Sequence, residues 1–189
     1  MSSFVDELIS AGYLRQPELI QTMRAVNRHN YGLTTSAFHS SPIGYDQVIS
    51  AFNVHAMACE ALYPALVRPN ARILDVGCGS GYLTAVFARL NPSATVYGVE
   101  CRPELVELSR NNLMKGDGDL LSGGRVVVVH GDASQGYPYG APYDAIHVGA
   151  AAEELPMALV NELKVGGMML IPIGPLRIGQ TFTKVINRS

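Results

Sequence analysis

Three closely spaced glycines follow an apolar segment of the chain, and an acid follows them further along. Residues 73–82 read Ile-Leu-Asp-Val-Gly-Cys-Gly-Ser-Gly-Tyr, which puts Gly77, Gly79 and Gly81 directly after an apolar strand. Glu100 ends the next apolar stretch. Glycines between a strand and a helix let backbone N–H groups approach a ligand closely, and a carboxylate that ends the next strand accepts hydrogen bonds from ribose hydroxyls. The pattern predicts a nucleoside site.

The spacing of the glycines indicates which nucleoside is bound. In dinucleotide-binding folds the third glycine stands at the position that Tyr82 occupies here. A tighter loop with no pyrophosphate to hold suits a nucleoside with an amino-acid tail, and Asp75 stands where it could pair with the ammonium group of that tail. These features predict S-adenosylmethionine as the ligand. The alternative is a turn in which the glycines serve packing alone.

A third acid follows the next predicted strand, which ends His130-Gly131-Asp132-Ala133. The carboxyl ends of parallel strands meet at one edge of a sheet, so Asp132 is expected at the same rim as the other two acids. There it would accept a hydrogen bond from the adenine amino group, and the backbone N–H of Ala133 would meet a ring nitrogen. A simple turn is the alternative, because Gly-Asp pairs are common in turns.

The fourth predicted strand runs into residues 146–152, where the methyl acceptor would lie, and no obvious base stands there. An amine or hydroxyl acceptor needs a group that removes or orients a proton, whereas a carboxylate is already ionised at neutral pH. The acceptor is therefore predicted to be a carboxylate, and positioning it would supply roughly 7 to 11 kcal/mol of the barrier. His147 is predicted to be a packed core histidine, and Glu153 and Glu154 to begin a helix.

Alternating strands and helices from residue 71 onward are expected to position these side chains. Right-handed crossovers would put the first three strands on one side of the sheet and the fourth on the other. Strands are predicted near 72–76, 95–99, 125–130, 143–148 and 168–173. Helices are predicted at 81–90, from Pro103 onward and at 155–163, and the glycine pair Gly166-Gly167 is expected to end the last of them. Further helices are predicted at 4–10, 17–27 and 54–66.

Composition excludes several function classes. The net charge of the 189 residues is −2, and the 14 Lys and Arg residues are spread along the chain, which argues against nucleic-acid and membrane partners. The 3 cysteines lack metal-ligand spacing, so we expect free thiols in a reducing compartment and no metal. Asp6 and Glu7 interrupt the start of the chain, which argues against a signal peptide and predicts a cytoplasmic location.

Two connecting segments have distinct compositions. Residues 41–55 mix polar and apolar residues without helix or strand periodicity, which predicts an irregular lid. The spacing of Ser50 and His55 in that segment is compatible with two roles. They could belong to a functional site, or they could serve only the turn and the start of the helix that follows. Residues 116–124 contain two aspartates and a glycine pair, and they are predicted to be a solvated surface connection.

The chain resembles the protein-L-isoaspartate (D-aspartate) O-methyltransferases over about residues 6–183. The segments that carry the resemblance are PIGYDQVISAFNVHA, LDVGCGSGYLTAVFARL and APYDAIHVGAAAEELPMALVNELKVGGMMLIPIG. It implies an enzyme that methylates the misplaced α-carboxylate of isoaspartyl residues in damaged proteins and peptides, after which the ester leaves as a succinimide that reopens to normal aspartate. The cofactor would be S-adenosyl-L-methionine, with S-adenosyl-L-homocysteine as the product.

The resemblance also implies a fold and a domain organisation. The expected class is α/β, with the Rossmann-like, doubly wound, mainly parallel sheet of class I S-adenosylmethionine-dependent methyltransferases. Residues 1–189 would form a single domain, in which 1–68 supply N-terminal helices and a lid and 69–189 the cofactor-binding core. The family usually continues past the strand that residues 180–188 begin, so a shortened C-terminal end is expected.

The lid positions of the family carry over to this chain. Ser50 corresponds to the family's active-site serine, which would orient the substrate rather than act as a strong base. Gln47, Val48, Ile49 and His55 correspond to cofactor contacts. The family usually reads Thr-Ile-Ser-Ala-Pro-His-Met-His here, and this chain differs from it at Val48, Phe52, Asn53 and Val54. These differences are expected to affect substrate binding or specificity.

The core positions carry over in the same way. Ser80 matches a contact of the glycine loop, Glu100 and Cys101 the ribose end, and Asp132 and Ala133 the adenine end. The predicted cofactor-binding residues are therefore Gln47, Val48, Ile49, Ser50, His55, Asp75, Gly77, Gly79, Ser80, Gly81, Glu100, Cys101, Asp132 and Ala133.

Two other function classes stay open at this point. One keeps the fold and cofactor in a binding protein whose altered lid has abolished methyl transfer. The other is a nicotinamide oxidoreductase, which Glu100 alone would permit but which Tyr82 and the lack of a hydride-transfer acid disfavour. For the enzyme we expect a monomer.

Overall fold

A six-stranded sheet forms the centre of the protein in the computed structural model, which describes residues 2–175 and 179–188. Ahead of the sheet lie helices Ser2–Ser10 (α1) and Pro17–Ala25 (α2), a hairpin of Ser41–Gly44 (β1) and Gln47–Ile49 (β2), and the long helix Phe52–Leu66 (α3). The remaining elements are β3 (Arg72–Val76), α4 (Tyr82–Leu90), β4 (Thr95–Glu100), α5 (Pro103–Met114), α6 (Gly118–Ser122), β5 (Val126–His130), β6 (Tyr143–Val148), α7 (Met157–Asn161), β7 (Leu163–Ile173) and β8 (Thr181–Ile186).

The strand order is β5-β4-β3-β6-β7-β8. The first five strands in this order are parallel to their neighbours, and β8 pairs antiparallel with β7. The winding reverses between β3 and β6, and in open α/β sheets ligands bind outside the carboxyl ends of the strands at such a reversal. The predicted order, with the first three strands of the core on one side and the fourth on the other, is confirmed.

Alternate residues along each central strand belong to different halves of the core, because successive side chains of a strand point to opposite faces. In β3, Ile73 packs with the cluster that includes α1 to α6, whereas Leu74 packs with the cluster that includes α7. In β6, Ala145 and Ile146 divide in the same way. A sheet buried on both faces fits the continuous apolar runs from which the strands were predicted.

Most predicted elements match, with three corrections. The helix predicted at 155–163 is only Met157–Asn161, so Glu153 and Glu154 lie in a bend ahead of it rather than at its start. The strand predicted from residue 168 begins already at Leu163. The glycine pair Gly166-Gly167 was predicted to end a helix but lies within that strand, where Gly166 has a φ of 76° and donates to the backbone oxygen of Asn187. Backbone hydrogen bonding to the edge strand β8 therefore outweighs the tendency of a glycine pair to end a helix.

The lid is not irregular, as the mixed composition predicted, because β1 and β2 form an antiparallel hairpin. Tyr45 and Asp46 make its turn, with φ values of 55° and 54°. Turns of this kind normally carry Asn or Gly, so the sequence lacks the usual hairpin signal. Arg102 donates from Nη1 to the backbone oxygen of Tyr45 at 2.5 Å, which ties the tip of the hairpin to the end of β4.

The prediction of a solvated connection at 116–124 is also wrong, since Asp117 is buried and α6 lies within the segment. The Tyr31 hydroxyl donates to Asp117 Oδ2 at 2.5 Å, and Arg89 Nε donates to Asp117 Oδ1 at 2.8 Å. Charged residues and glycines alternate in this segment, as they do in many surface loops. The prediction failed because the residues that bury Asp117 come from distant parts of the chain.

Replacing Tyr31 by phenylalanine is expected to lower the free energy of unfolding by about 1 to 3 kcal/mol, because the buried Asp117 then loses one of its donors. Urea denaturation followed by circular dichroism measures the change. Tyr139→Phe is the matched control, since that side chain is 82% exposed. Equal stability of the two variants would contradict the structural role of the Tyr31 hydroxyl.

In the part of the chain that the structure describes, the helices are too short or too polar to cross a bilayer.

Candidate functional site

A cavity lies between the hairpin and the carboxyl ends of β3, β4 and β6. It is at the reversal point of the sheet, where a ligand is expected. The residues that line it include Gln47, Val48, Ile49, Ser50, His55, Asp75, Gly77, Cys78, Gly79, Ser80, Tyr82, Glu100, Cys101, Arg102 and His147.

The glycine loop forms one wall of this cavity. Gly77, Gly79 and Gly81 have φ values of 70°, 53° and 84°, which side chains other than glycine rarely tolerate. Gly77 N donates to the backbone oxygen of Val99 at 2.8 Å, so the loop follows the tip of the neighbouring strand. Gly77 and Gly79 line the cavity together with Ser80, whereas Gly81 lies behind them as the residue that precedes α4.

Glu100 connects this loop to the end of β4. It is buried, and its Oε2 accepts from Gly79 N at 3.1 Å while Oε1 accepts from Arg102 N at 3.2 Å. Cys101 Sγ also donates to Oε1, at 3.4 Å. A carboxylate offers about four lone-pair sites, and a thiol is a weak donor that a hydroxyl can replace, so Glu100 retains acceptor capacity for hydroxyl groups of a ligand. The predicted position of the acid at the strand tip is therefore found, and the loop fixes its orientation.

Asp75 lies in the floor of the cavity and is bonded to two other side chains. Its Oδ2 accepts from Thr84 Oγ1 at 2.6 Å, and its Oδ1 accepts from His147 Nδ1 at 2.8 Å. His147 is buried as predicted, but it also lines the cavity beside this carboxylate. Any ammonium group at this end of the cavity meets an aspartate–histidine pair rather than an isolated acid.

A second hollow adjoins the cavity and shares Gly77, Cys101 and Ala150 with it. Asp132 and Ala133 line this hollow and not the first one. Asp132 Oδ1 accepts from Ser134 N at 2.9 Å, and backbone hydrogen bonding lowers the pKa of its exposed carboxyl. The three acids therefore lie around two connected hollows rather than one.

The hairpin and the start of α3 close the cavity on the other side. Val48 is 55% exposed there, Ile49 is buried in the core, and Ser50 and His55 both face the cavity. Phe52 stands where the related family has proline, and its ring is fully buried against the Arg28 guanidinium, with 4.9 Å from Cζ to the ring centre. Packing of this aromatic ring fixes the start of α3 in place of a proline.

Arg28 contacts residues of the cavity wall, and the sequence analysis did not identify it. It lies in a short 3-10 turn between α2 and the hairpin, and it is 1% exposed. Its Nη1 donates to His55 Nδ1 at 2.8 Å and its Nη2 donates to the backbone oxygen of Ser50 at 2.5 Å. A single arginine in an ordinary polar segment has no spacing signal, and only the fold brings it behind the lid.

The hydrogen bond from Arg28 determines the state of His55. A guanidinium can only donate, so Nδ1 of His55 is the acceptor and the neutral ring carries its proton on Nε2. Burial, with Arg28 and His147 nearby, holds the pKa of His55 well below its usual value. His55 is therefore a neutral hydrogen-bond donor in the wall of the cavity rather than a cation.

The cysteines near the site are not activated nucleophiles. Burial and the nearby Asp75 raise the pKa of Cys78, and partial burial and the hydrogen bond to Glu100 raise the pKa of Cys101. The three cysteines are free thiols. Among residues 2–175 and 179–188, no group of three or more His, Cys, Asp and Glu side chains is arranged to hold a metal ion.

Comparison with known proteins identifies the chain's relatives. The model of the Protein-L-isoaspartate(D-aspartate) O-methyltransferase (PCMT) family matches residues 1–189. A Caenorhabditis elegans protein-L-isoaspartate O-methyltransferase is 37% identical over 187 residues, covering 97% of this chain and 82% of the relative. Arabidopsis thaliana protein-L-isoaspartate O-methyltransferase 1 is 43% identical over 177 residues, covering 91% of this chain and 76% of the relative.

A solved structure shows the same architecture. A Plasmodium falciparum crystal structure, described as a protein-L-isoaspartate O-methyltransferase in complex with S-adenosyl-L-homocysteine, superposes with a TM-score of 0.91. The two chains are 30% identical, and the match covers 100% of this chain and 90% of the other.

Proposed function

Because the chain belongs to the protein-L-isoaspartate(D-aspartate) O-methyltransferase family, we propose that the cavity beneath its hairpin is where it performs the family's reaction. The enzyme transfers a methyl group from S-adenosylmethionine to the free α-carboxylate of an isoaspartyl residue. One observation carries the assignment of the site, namely that Glu100 at the tip of β4 and Ser50 beside the hairpin line the same cavity.

The residues present fit the cofactor. Glu100 retains acceptor capacity for the ribose hydroxyls, and the glycine loop offers close backbone approach. Asp75 with its partner His147 would hold the ammonium end of the amino-acid tail, and the adjoining hollow, lined by Asp132 and Ala133, would take the adenine. When bound there, the cofactor supplies an electrophilic methyl group on a sulfonium sulfur.

The chain's own contribution to the reaction is positioning. The acceptor carboxylate is ionised at neutral pH, so no residue has to remove a proton. Ser50 would donate a hydrogen bond from Oγ to one carboxylate oxygen, and His55 would donate from Nε2, which leaves the remaining lone pairs directed at the methyl group. Holding the two reactants in line would supply roughly 7 to 11 kcal/mol of the barrier.

Two peptides that differ only in isoaspartate versus aspartate test the function. With labelled S-adenosylmethionine, we expect base-labile label in the isoaspartyl peptide and none in the aspartyl peptide. Binding of S-adenosylhomocysteine without transfer to either peptide would contradict the proposal and leave only a binding protein. A peptide with D-aspartate shows whether this second substrate, which the family name includes, is also methylated.

The Ser50→Ala variant tests the role of the lid serine. Losing one hydrogen bond to a charged acceptor is expected to reduce kcat about 10- to 100-fold. The affinity for S-adenosylhomocysteine should change less than about threefold, since the glycine loop and the acids are untouched. Ser122→Ala, an exposed serine of α6, is the control. An unchanged kcat in Ser50→Ala would remove Ser50 from the catalytic residues.

We also propose that the enzyme is a cytoplasmic monomer whose partners are isoaspartyl proteins and peptides, with neither nucleic acid nor membrane among them. The small net charge of −2 and the dispersed basic residues argue against nucleic acid and membranes as partners. The free cysteines fit a reducing compartment such as the cytoplasm. Light scattering coupled to size exclusion should give the mass of one chain. A mass of two chains, independent of concentration, would refute the monomer.

A further inference from the structure

The guanidinium of Arg28 is enclosed by groups that carry no negative charge. Its Nε donates to Thr34 Oγ1 at 2.9 Å, and the two Nη atoms donate to His55 and Ser50 as described above. The rings of Phe52 and Tyr82 lie on it, with Cζ 4.9 and 4.6 Å from their centres. Within the described ranges 2–175 and 179–188, no carboxylate forms an ion pair with it.

Burying a charged guanidinium without a negatively charged partner is unfavourable for the stability of the protein. Charged side chains are seldom buried without a partner of opposite charge, because the lost hydration is only partly replaced by neutral hydrogen-bond acceptors. Burial accordingly lowers the pKa of Arg28 to about 10, which still leaves it charged at neutral pH. A buried cation with neutral partners favours the arrival of an anion next to it.

Two of the residues that Arg28 contacts, His55 and Ser50, are those proposed to contact the acceptor. It fixes the backbone of Ser50 through the carbonyl oxygen, and it fixes the tautomer of His55 through Nδ1. The charges of the site are therefore separated, with Asp75 and Glu100 at the strand tips and the guanidinium behind the lid. A cationic ligand group is therefore favoured near the strand tips, and an anionic group is favoured near the lid.

We propose that Arg28 is the positioning residue that makes the acceptor side of the cavity selective for a carboxylate. Acting through His55 and Ser50, it aligns two hydrogen-bond donors and adds a positive potential where the isoaspartyl carboxylate binds. The inference rests on the proposed function. It also accounts for product release, because methylation turns the anion into a neutral ester and removes the attraction to the guanidinium.

The test compares two peptides bound to the enzyme loaded with S-adenosylhomocysteine. One is the isoaspartyl peptide, and in the other a carboxamide replaces the α-carboxylate. In Arg28→Gln, the preference for the carboxylate over the carboxamide should fall about 10- to 30-fold, the size expected for two charges roughly 8 to 10 Å apart at an effective dielectric constant near 20. The affinity for S-adenosylhomocysteine should stay within about threefold of the unmodified enzyme.

Two further variants separate charge from structure. Arg28→Lys keeps the charge but loses the guanidinium fork, so it should retain most of the carboxylate preference while kcat falls. Arg24→Gln is the control, since it removes an exposed arginine paired with Asp6, and it should leave both quantities unchanged. Equal losses of carboxylate and carboxamide affinity in Arg28→Gln would mean that the residue is only structural, and the proposal would be wrong.

One measurement needs no variant and applies even if Arg28→Gln does not fold. Nitrogen-15 chemical shifts of His55 in the unmodified enzyme should show an unprotonated Nδ1 and a protonated Nε2. A proton on Nδ1 would overturn the proposal. The function and the inference fail separately, because methylation of the isoaspartyl peptide by the unmodified enzyme tests the former, and the carboxylate preference of the variants tests the latter.

Discussion

Glu100→Gln is expected to weaken the binding of S-adenosylhomocysteine by about 100- to 10,000-fold. The carboxylate would accept hydrogen bonds from both ribose hydroxyls, and each bond to a charged group contributes roughly 1.5 to 3 kcal/mol. Glutamine offers one acceptor oxygen and one donor nitrogen, so at most one such bond survives. Its NH₂ group would also face the N–H of either Gly79 or Arg102, which now donate to the two carboxylate oxygens.

Isothermal titration with S-adenosylhomocysteine measures this effect, and Glu104→Gln is the matched control. Glu104 lies four residues further on in the first turn of α5 and is exposed, so the same change of charge there should leave the affinity unchanged. A loss of less than tenfold in Glu100→Gln would show that the ribose is held elsewhere. Equal losses in both variants would indicate a general effect of charge rather than a ribose contact.

The parts of the site that the sequence predicts are those built from contiguous residues. The glycine loop and the tips of β3 and β4 lie within residues 73–100, where strand, turn and helix signals agree with one another. Local geometry then determines which backbone groups face the cavity. The fold class and the strand order follow from the same alternation of elements together with the handedness of crossovers.

The features that the sequence did not reveal depend on contacts between distant segments. Arg28 meets His55 27 positions away, and Tyr31 meets Asp117 86 positions away. In both cases a polar residue in a segment without periodicity becomes buried, and its sequence neighbours carry no trace of the partner. The hairpin of the lid was missed for a different reason, since Tyr45 and Asp46 occupy turn positions that normally require Asn or Gly.

The division of charge across the cavity connects the fold to the reaction. Strand tips of a parallel sheet bring Asp75 and Glu100 together by topology, whereas the guanidinium of Arg28 comes from the N-terminal segment and lies behind the lid, bonded to His55. A sulfonium cofactor and a carboxylate acceptor have opposite charges and lose them together when the methyl group moves. A site polarised in this sense binds both reactants and holds both products less tightly.

Gly81→Ala is expected to destabilise the protein by about 2 to 5 kcal/mol. Gly81 has a φ of 84°, and a methyl group at its Cα would lie 2.4 Å from Ser109 Oγ in α5. The backbone conformation costs a residue with a side chain roughly 1 to 2 kcal/mol, and forcing a methyl group into a filled space adds roughly 1 to 3 kcal/mol. Because Gly81 precedes α4 directly, the strain is expected to displace the glycine loop and to weaken cofactor binding as well.

Two further variants separate the two causes. Gly12→Ala has a similar φ of 77° but open space around the new methyl group, so only the backbone cost of about 1 to 2 kcal/mol should be seen there. Ser109→Ala alone should change stability by about 1 kcal/mol or less. Combined with Gly81→Ala, it removes the hydroxyl that clashes and should restore roughly 1 to 2 kcal/mol. Urea unfolding of the unmodified protein, Gly81→Ala, Ser109→Ala and the double variant gives the coupling between the two positions. Strictly additive effects would show that the methyl group does not meet Ser109.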